Sequence, residues 1–184
     1  MNKIFLSGDN GSSGSFCIME IETGKVLSYC HTPIIKAQDY TKKEKYISRL
    51  DHKKFEEFLS SYPIERYIFC YLERPLVSNF RFSVSIVAVR CFESTLVVLE
   101  KLNIKPIKIL DSKRWQSVML PEIKGKDELK EASDEYCNVH YPDINLCDIG
   151  KKGQNLKTDP GKGDSILIAE WARRNWLAGR SENK

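Results

Sequence analysis

Three acidic residues stand at the ends of predicted secondary-structure elements. Asp9 follows the first apolar run, Glu73 ends a run of aromatic and β-branched residues, and Asp164 lies at the start of the last predicted helix. Carboxylates that gather without matching cations repel one another and have raised pKa values, so a divalent cation usually lies between them. Hard oxygen ligands favour magnesium or manganese over zinc. Two such ions about 4 Å apart would activate a water and stabilise the leaving oxygen of a phosphodiester.

Each acid also has a purely structural interpretation. Asp9 lies in a glycine-rich turn, where an aspartate commonly bonds to its own backbone. Asp164 is suited to cap a helix N-terminus, and Glu73 could form an ion pair with Arg74 or Arg66. Asp159, in the sequence Thr-Asp-Pro-Gly, has the chemistry of a turn residue. The ordered trio is more specific than any of its members, and it favours a metal site.

The elements that must position these acids form a mixed sheet with helices on its faces. We predict strands from Ile4, Phe16–Ile21, Val26–His31, Arg66–Glu73 and Lys105–Leu110, and helices after Asp51 and over Ser83–Leu102, Arg114–Met119, Lys126–Tyr141 and Ser165–Ala178, the last capped by Gly179. The segment from Pro33 to Lys54 is predicted as a loop with some helix. The order β-β-β-α-β-α-β-α-α predicts one α/β domain over residues 1–184, with a five-stranded sheet that combines an antiparallel meander and parallel strands. The first strand and the strand that ends at Glu73 are natural neighbours, which would bring Asp9 beside Glu73.

Composition narrows the class of protein. The 184 residues are 41% hydrophobic and carry a net charge of +4, which excludes a disordered or low-complexity chain. The sequence predicts no membrane span, because Arg90 and Glu93 interrupt the most apolar stretch, and it shows no signal peptide. Six cysteines without a CxxC pair are therefore expected to be buried, reduced thiols in a cytosol. The uneven distribution of lysine is compatible with a polyanionic partner.

Three segments of the chain resemble the RuvC family of Holliday-junction resolvases. They are the hairpin Ile4–Ile18 with Asp9, the strand end Tyr71–Pro75 with Glu73, and the stretch Gly163–Ala169 with Asp164. The similarity covers nearly the whole chain and is closest to phage-type members, in which a segment like Lys113–Gln116 lies between the second and third motifs. The resemblance implies the RNase H-like fold and a crossover junction endodeoxyribonuclease. The expected location is a bacterial cytosol, and the expected source a phage or prophage.

The resemblance also implies roles for individual residues. Asp9, Glu73 and Asp164 would be ligands of two magnesium ions, with manganese as a substitute. Family members usually supply a fourth acid or histidine shortly before the last aspartate, and here Asp159 is the nearest replacement because Gly161 has no ligating side chain. The family cuts branched DNA as a homodimer packed through the helix that corresponds to Ser83–Leu102.

The predicted DNA contacts lie after the second and before the third motif. Aromatic side chains near such a site can stack on unpaired bases, and Phe80 and Phe82 flank Arg81 in the loop after Glu73. The two phenylalanines are equally compatible with core packing. A second predicted set consists of lysines that would contact phosphates, namely Lys124, Lys126 and Lys130.

Other functions remain open from the sequence. The same carboxylates would serve an RNase H-like nuclease that acts on RNA–DNA hybrids or on other branched DNA. A non-catalytic nucleic-acid-binding member of the fold is a further alternative, which the intact acids disfavour. A sugar-kinase-like ATPase also opens with an Asp-x-Gly-type hairpin, but it would need a second lobe that a chain of 184 residues does not show.

Overall fold

A mixed five-stranded sheet lies at the centre of the fold. The computed structural model describes residues 2–38, 46–146 and 162–181. The strands are β1 (Ile4–Asp9), β2 (Ser15–Glu20), β3 (Val26–His31), β6 (Tyr67–Glu73) and β7 (Ile107–Leu110), arranged in the order β3-β2-β1-β6-β7. β1 pairs antiparallel with β2 and parallel with β6, while β2 and β3 are antiparallel and β6 and β7 parallel. The predicted meander with added parallel strands is thus confirmed.

Helices cover both faces of this sheet. They are α1 (His52–Leu59), α2 (Phe82–Lys101), α3 (Ser112–Met119), α4 (Lys126–His140) and α5 (Asp164–Ser181). Side chains alternate between the faces of a strand, and Phe5 of β1 packs in the core formed with α3, α4 and α5. Its neighbours Ile4 and Leu6 pack in the opposite core with α1 and α2. Because β1 is buried on both sides, its carboxyl end is held firmly.

Most predicted elements are present, with ends that shift by one to three residues. Asp51 caps α1 as predicted, since its Oδ1 accepts a hydrogen bond from the Lys54 backbone N–H at 3.2 Å. The predicted C-cap at Gly179 is wrong, because α5 continues through this residue to Ser181. Five cysteines lie among the described residues and all are free, namely Cys17, Cys30, Cys70, Cys91 and Cys137.

The prediction for the segment between Pro33 and Lys54 is wrong in its first part. Residues on both sides of 39–45 form a two-stranded antiparallel ribbon, β4 (Ile34–Gln38) and β5 (Tyr46–Leu50), which belongs to a separate sheet. Leu50 is buried in the core beneath α2, which anchors one end of the ribbon. Leu50 is the only residue of the two strands that is buried, and neither strand alternates regularly between apolar and polar residues. The sequence pattern therefore suggested a loop.

Helix α2 is the most apolar of the described helices. By length and composition alone its 20 residues could cross a membrane, a test that the core helices of globular proteins also pass. Its buried residues include Phe92, Val98 and Leu99, whereas Phe82, Val84 and Val97 are exposed. The helix therefore has apolar side chains both toward the core and away from it.

Candidate active site

The strand register brings Asp9 and Glu73 to the same edge of the sheet. β1 and β6 run parallel with Gly8 opposite Leu72, and the two acids follow directly at the strand ends. Parallel neighbours are about 4.8 Å apart, so these carboxylates belong to one site. The predicted placement of Asp9 beside Glu73 agrees with this register.

Buried serines fix Asp164 against the same strands. Helix α5 packs across β1 and β2, and Asp164 is its first residue. The Ser7 hydroxyl donates to the Ser165 carbonyl at 2.6 Å, and the Ser15 and Ser165 hydroxyls are 2.8 Å apart. Ser15 also donates to the Lys162 carbonyl at 3.0 Å. The first turn of α5 is thereby attached to the two strands that carry the glycine turn.

The glycines of this turn are needed mainly for close packing. A Cβ atom at Gly14 would collide with the carbonyl oxygen of Asp9, and one at Gly8 would collide with the ring of Phe16. The chain can fold back beside Asp9 only because both positions lack a side chain. Gly11, by contrast, has a φ of 147° and open space around its Cα.

The three carboxylates have raised pKa values. Burial raises the pKa of Asp9 well above its ordinary value, and the charges of Asp164 and Glu73 raise it further. Burial likewise raises the pKa of Asp164 to about 7, with Glu73 adding to the effect. Burial also raises the pKa of Glu73. Mutual repulsion between partly buried acids is the electrostatic pattern expected where a cation binds.

Trp115 positions Glu73, a role that the sequence did not reveal. This side chain is fully buried, and its indole Nε1–H donates to the Glu73 carboxylate at 2.7 Å. The hydrogen bond lowers the pKa of Glu73 against the effect of burial. Asn10 adds a second attachment, because its Nδ2 donates to the Glu73 backbone carbonyl at 3.0 Å. The spacing of Trp115 predicts only a core residue, since nothing in a sequence shows which side chain an indole faces.

Two lysines and a further aspartate lie close to the acids. The charges of Lys130 and Lys162 lower the pKa of Asp9. Lys162 is buried and donates to the Ser13 carbonyl at 2.8 Å, so it connects the glycine turn to the start of α5. Asp134 of α4 accepts a hydrogen bond from the Gly163 N–H at 2.7 Å, and its charge raises the pKa of Asp164. Sequence reasoning missed both residues, because Lys162 reaches the site through its contact with the glycine turn and Asp134 through the packing of α4 against the start of α5.

The remaining predicted site residues whose side chains are described lie around the start of α2 and around the start of α4. Phe80 lies in a 3₁₀ turn before α2 and is fully exposed, Arg81 is exposed, and Phe82 begins α2 with 69% of its surface exposed. The core interpretation of both phenylalanines is therefore wrong. Lys124 is exposed in the turn before α4, and Lys130 is partly buried within this helix.

Two further predictions cannot be placed in the site. Lys126 is the first residue of α4, and its side chain is outside the described part of the structure. Asp159 falls within 147–161, also outside the described residues, so its role as the fourth ligand stays a prediction.

The donor set has the right chemistry for a hard divalent cation. Asp9, Glu73 and Asp164 supply carboxylate oxygens, and the buried Oδ1 of Asn10 has no hydrogen-bond partner. Among residues 2–38, 46–146 and 162–181, however, no three acids, histidines or cysteines form a closed metal-binding group. The described residues thus offer suitable ligands without a complete coordination shell.

The chain is similar to known proteins in its structure, whereas comparisons of its sequence find no match. No protein-family model matches the chain, and no curated protein matches it. A solved structure of T. thermophilus RuvC in complex with Holliday junction substrate is similar, with a TM-score of 0.56 at 8% identity over 95% of this chain and 96% of that chain. A second Thermus thermophilus RuvC structure has a TM-score of 0.53 at 9% identity, with the same coverage of both chains. The chain has the RNase H-like fold of RuvC.

Proposed function

We propose that this protein is a magnesium-dependent endonuclease that nicks four-way DNA junctions symmetrically. The observation that carries the proposal is the meeting of Asp9, Glu73 and Asp164 at one sheet edge, with raised pKa values and no described basic side chain in ion-pair contact. The RuvC-like fold and the junction substrate named for one of the similar structures support the choice of DNA.

The three carboxylates would hold two magnesium ions, or manganese ions in their place, with Asp159 as the proposed fourth ligand. When bound, the ions would supply an activated water and stabilise the negative charge that develops on the leaving oxygen. The protein's own part is positioning. Trp115 and Asn10 orient Glu73, the serine contacts hold Asp164 in place, and Lys130 adds positive charge beside the acids.

The DNA would cross the edge of the sheet where the acids lie. Phe80, Arg81 and Phe82 follow β6 on this side and are exposed, so they can stack on unpaired bases and contact phosphates. Lys124, Lys126 and Lys130 are proposed to contact the backbone, which positions a duplex without reading its sequence.

The same proposal includes a homodimer that packs through α2. Val84 and Val97 are exposed apolar residues of this helix, with 66% and 58% of their surfaces accessible. A second copy would remove such surface from water. Sedimentation velocity on wild type and Val84→Lys tests this step, and the variant is expected to shift toward monomer. A wild-type protein that is monomeric at all concentrations would contradict the dimer.

Cleavage assays on three substrates test the activity. Wild type is expected to cut a four-way junction in magnesium and to leave a linear duplex largely intact, whereas Asp9→Asn binds the junction and does not cut it. An RNA–DNA hybrid is the third substrate, because an RNase H-type enzyme would use the same carboxylates. Preferential cutting of the hybrid would replace the junction with that alternative, and full cleavage by Asp9→Asn would overturn the metal site.

A further inference from the structure

The ribbon formed by β4 and β5 begins at the end of the sheet that carries the acids. Asp9 lies opposite Ser15, and Ser15 lies opposite His31, so these residues form one row across β1, β2 and β3. Two strand spacings place His31 about 10 Å from Asp9. β4 starts three residues beyond His31, and the Asp51 N–H donates to the Pro33 carbonyl at 2.8 Å to close the base of the ribbon.

The ribbon is exposed over most of its length. Ile35 and Tyr46 have 47% and 67% of their surfaces accessible, and Lys36 and Arg49 are also exposed. Only Leu50, at the base, is buried. β5 packs against α2, and three residues of the ribbon are partly buried, namely Ala37, Ile47 and Ser48. The exposed side chains of Ile35, Lys36, Tyr46 and Arg49 are available to a partner.

Positive charge is concentrated in this part of the chain. Residues 33–54 contain seven Lys and Arg against three Asp and Glu, a net charge of +4, which equals the net charge of all 184 residues. The other residues of the chain are therefore neutral in sum. The described residues of the segment include one acid, Asp51, and four basic residues, namely Lys36, Arg49, Lys53 and Lys54.

We propose that this ribbon binds the sugar–phosphate backbone of a DNA duplex arm beside the cleavage site. The inference rests on the proposed function and adds to it a place where one arm of the substrate is held. A two-stranded antiparallel ribbon has a width that a DNA groove accepts, and five residues per strand extend about 17 Å. The register places Lys36 and Tyr46 on one face of the ribbon and Arg49 and Ile35 on the other, so each face offers one basic side chain to a phosphate and one apolar side chain to a sugar. Two such ribbons from separate copies would repel each other, so the charge favours DNA over self-association.

Salt-dependent binding tests the ribbon. The probe is a fluorescent four-way junction, titrated without divalent ions so that no cleavage occurs. The variant Lys36→Gln/Arg49→Gln removes two phosphate contacts, and the slope of log affinity against log salt is expected to fall by about 2, with affinity about tenfold weaker at low salt. The matched control is Lys3→Gln/Lys25→Gln, which removes the same charge from exposed lysines at the opposite end of the sheet.

The outcomes separate the two proposals. A wild type that neither binds nor cuts the junction overturns the proposed function, and the ribbon proposal with it. A wild type that binds and cuts, with the ribbon variant and the control showing the same slope of log affinity against log salt, overturns the ribbon proposal alone. A changed sedimentation coefficient with unchanged DNA binding would show a protein contact and also overturn it. If the double variant melts at a lower temperature, the single variants replace it, each lowering the slope by about 1.

Discussion

The pKa of Glu170 is shifted in the direction opposite to the pKa values of the three site acids, Asp9, Glu73 and Asp164. Glu170, in the middle of α5, is 4% exposed and accepts hydrogen bonds from Arg173 Nε at 2.6 Å and Arg174 Nε at 2.8 Å. Burial alone would raise the pKa of Glu170, but the two arginines lower it below its ordinary value. Less than two turns away, at the start of the same helix, Asp164 has a pKa raised to about 7. One helix therefore contains both a neutralised acid and an acid that has no ion pair with any basic side chain among the described residues.

The difference distinguishes a structural carboxylate from a prepared ligand. The protein supplies the counter-charge of Glu170 from the same helix, at spacings of three and four residues that favour such pairs. For Asp9 and Asp164 the nearby charges with the largest effect on the pKa are those of other site acids, so a cation from solution would relieve the repulsion.

The largest expected effect is on cleavage. Asp164→Asn should reduce junction cleavage by at least about a hundredfold, because one charged group that acts on the reacting phosphate is lost. Glu170→Gln, assayed at a temperature where it is folded, should cut at a rate comparable to wild type. Initial rates on a labelled junction measure both. Equal losses in the two variants would remove the distinction between the two groups of acids.

Relative to wild type at pH 8, Glu170→Gln should be less stable and Asp164→Asn more stable. Glu170→Gln leaves two arginines without their acid and should cost about 1–3 kcal/mol, less than a fully buried pair because Arg174 is half exposed. Asp164 has a folded pKa raised to about 7 from 3.8, so its contribution to stability is complete below about pH 4 and is lost as pH rises through 7. Asp164→Asn should therefore melt above wild type at pH 8 and approach it at pH 4.

Thermal melts with a chelator at pH 4, 6 and 8 measure these differences. About 1 kcal/mol corresponds to about 2–4 °C for a chain of this size. A melting temperature of Asp164→Asn that stays below wild type at every pH would contradict the repulsion between the acids.

A smaller effect is expected where a neutral donor orients a site acid. Trp115→Phe removes the 2.7 Å hydrogen bond to Glu73 and should lower cleavage about tenfold. Because this bond lowers the pKa of Glu73, its loss should raise that pKa and move the acid limb of the pH–rate profile to higher pH. Trp171→Phe is the matched control, since Trp171 is buried in the same core and packs edge-on against Tyr71. A reduced rate with an unshifted profile would indicate a packing defect only.

The smallest effect concerns the backbone of the site. Asn10→Ala removes the bond to the Glu73 carbonyl and should cost about 1 kcal/mol of unfolding free energy, with cleavage reduced only a few-fold. Asn2→Ala removes a comparable amide bond to Glu20 at the opposite end of the sheet and should leave cleavage unchanged. Melting curves and cleavage rates on both variants provide the comparison, and an effect of Asn2→Ala on the rate would argue against a local role for Asn10.

The sequence predicted the strands that carry the acids because their patterns are strong. β1 and β6 are apolar runs that end in a lone carboxylate, and the parallel pairing of such strands follows from general topology rules. Helix α5 was predicted with its start one residue late and its end too early. Gly179 resembles a C-cap in sequence, but α5 extends beyond it.

The unpredicted features depend on tertiary contacts. The ribbon of β4 and β5 has polar residues on both faces, so no hydrophobic alternation marks its strands. The contact of Trp115 with Glu73 and that of Asp134 with Gly163 join residues 42 and 29 positions apart. Helical periodicity places these side chains on a face and gives no information about the partner across it.

The serine contacts at the start of α5 determine the position of Asp164. Ser7 and Ser15 bind Ser165 directly, through hydrogen bonds that do not involve residues 147–161. The third acid is therefore held by the two strands that flank the glycine turn, and its place in the site forms together with the sheet itself.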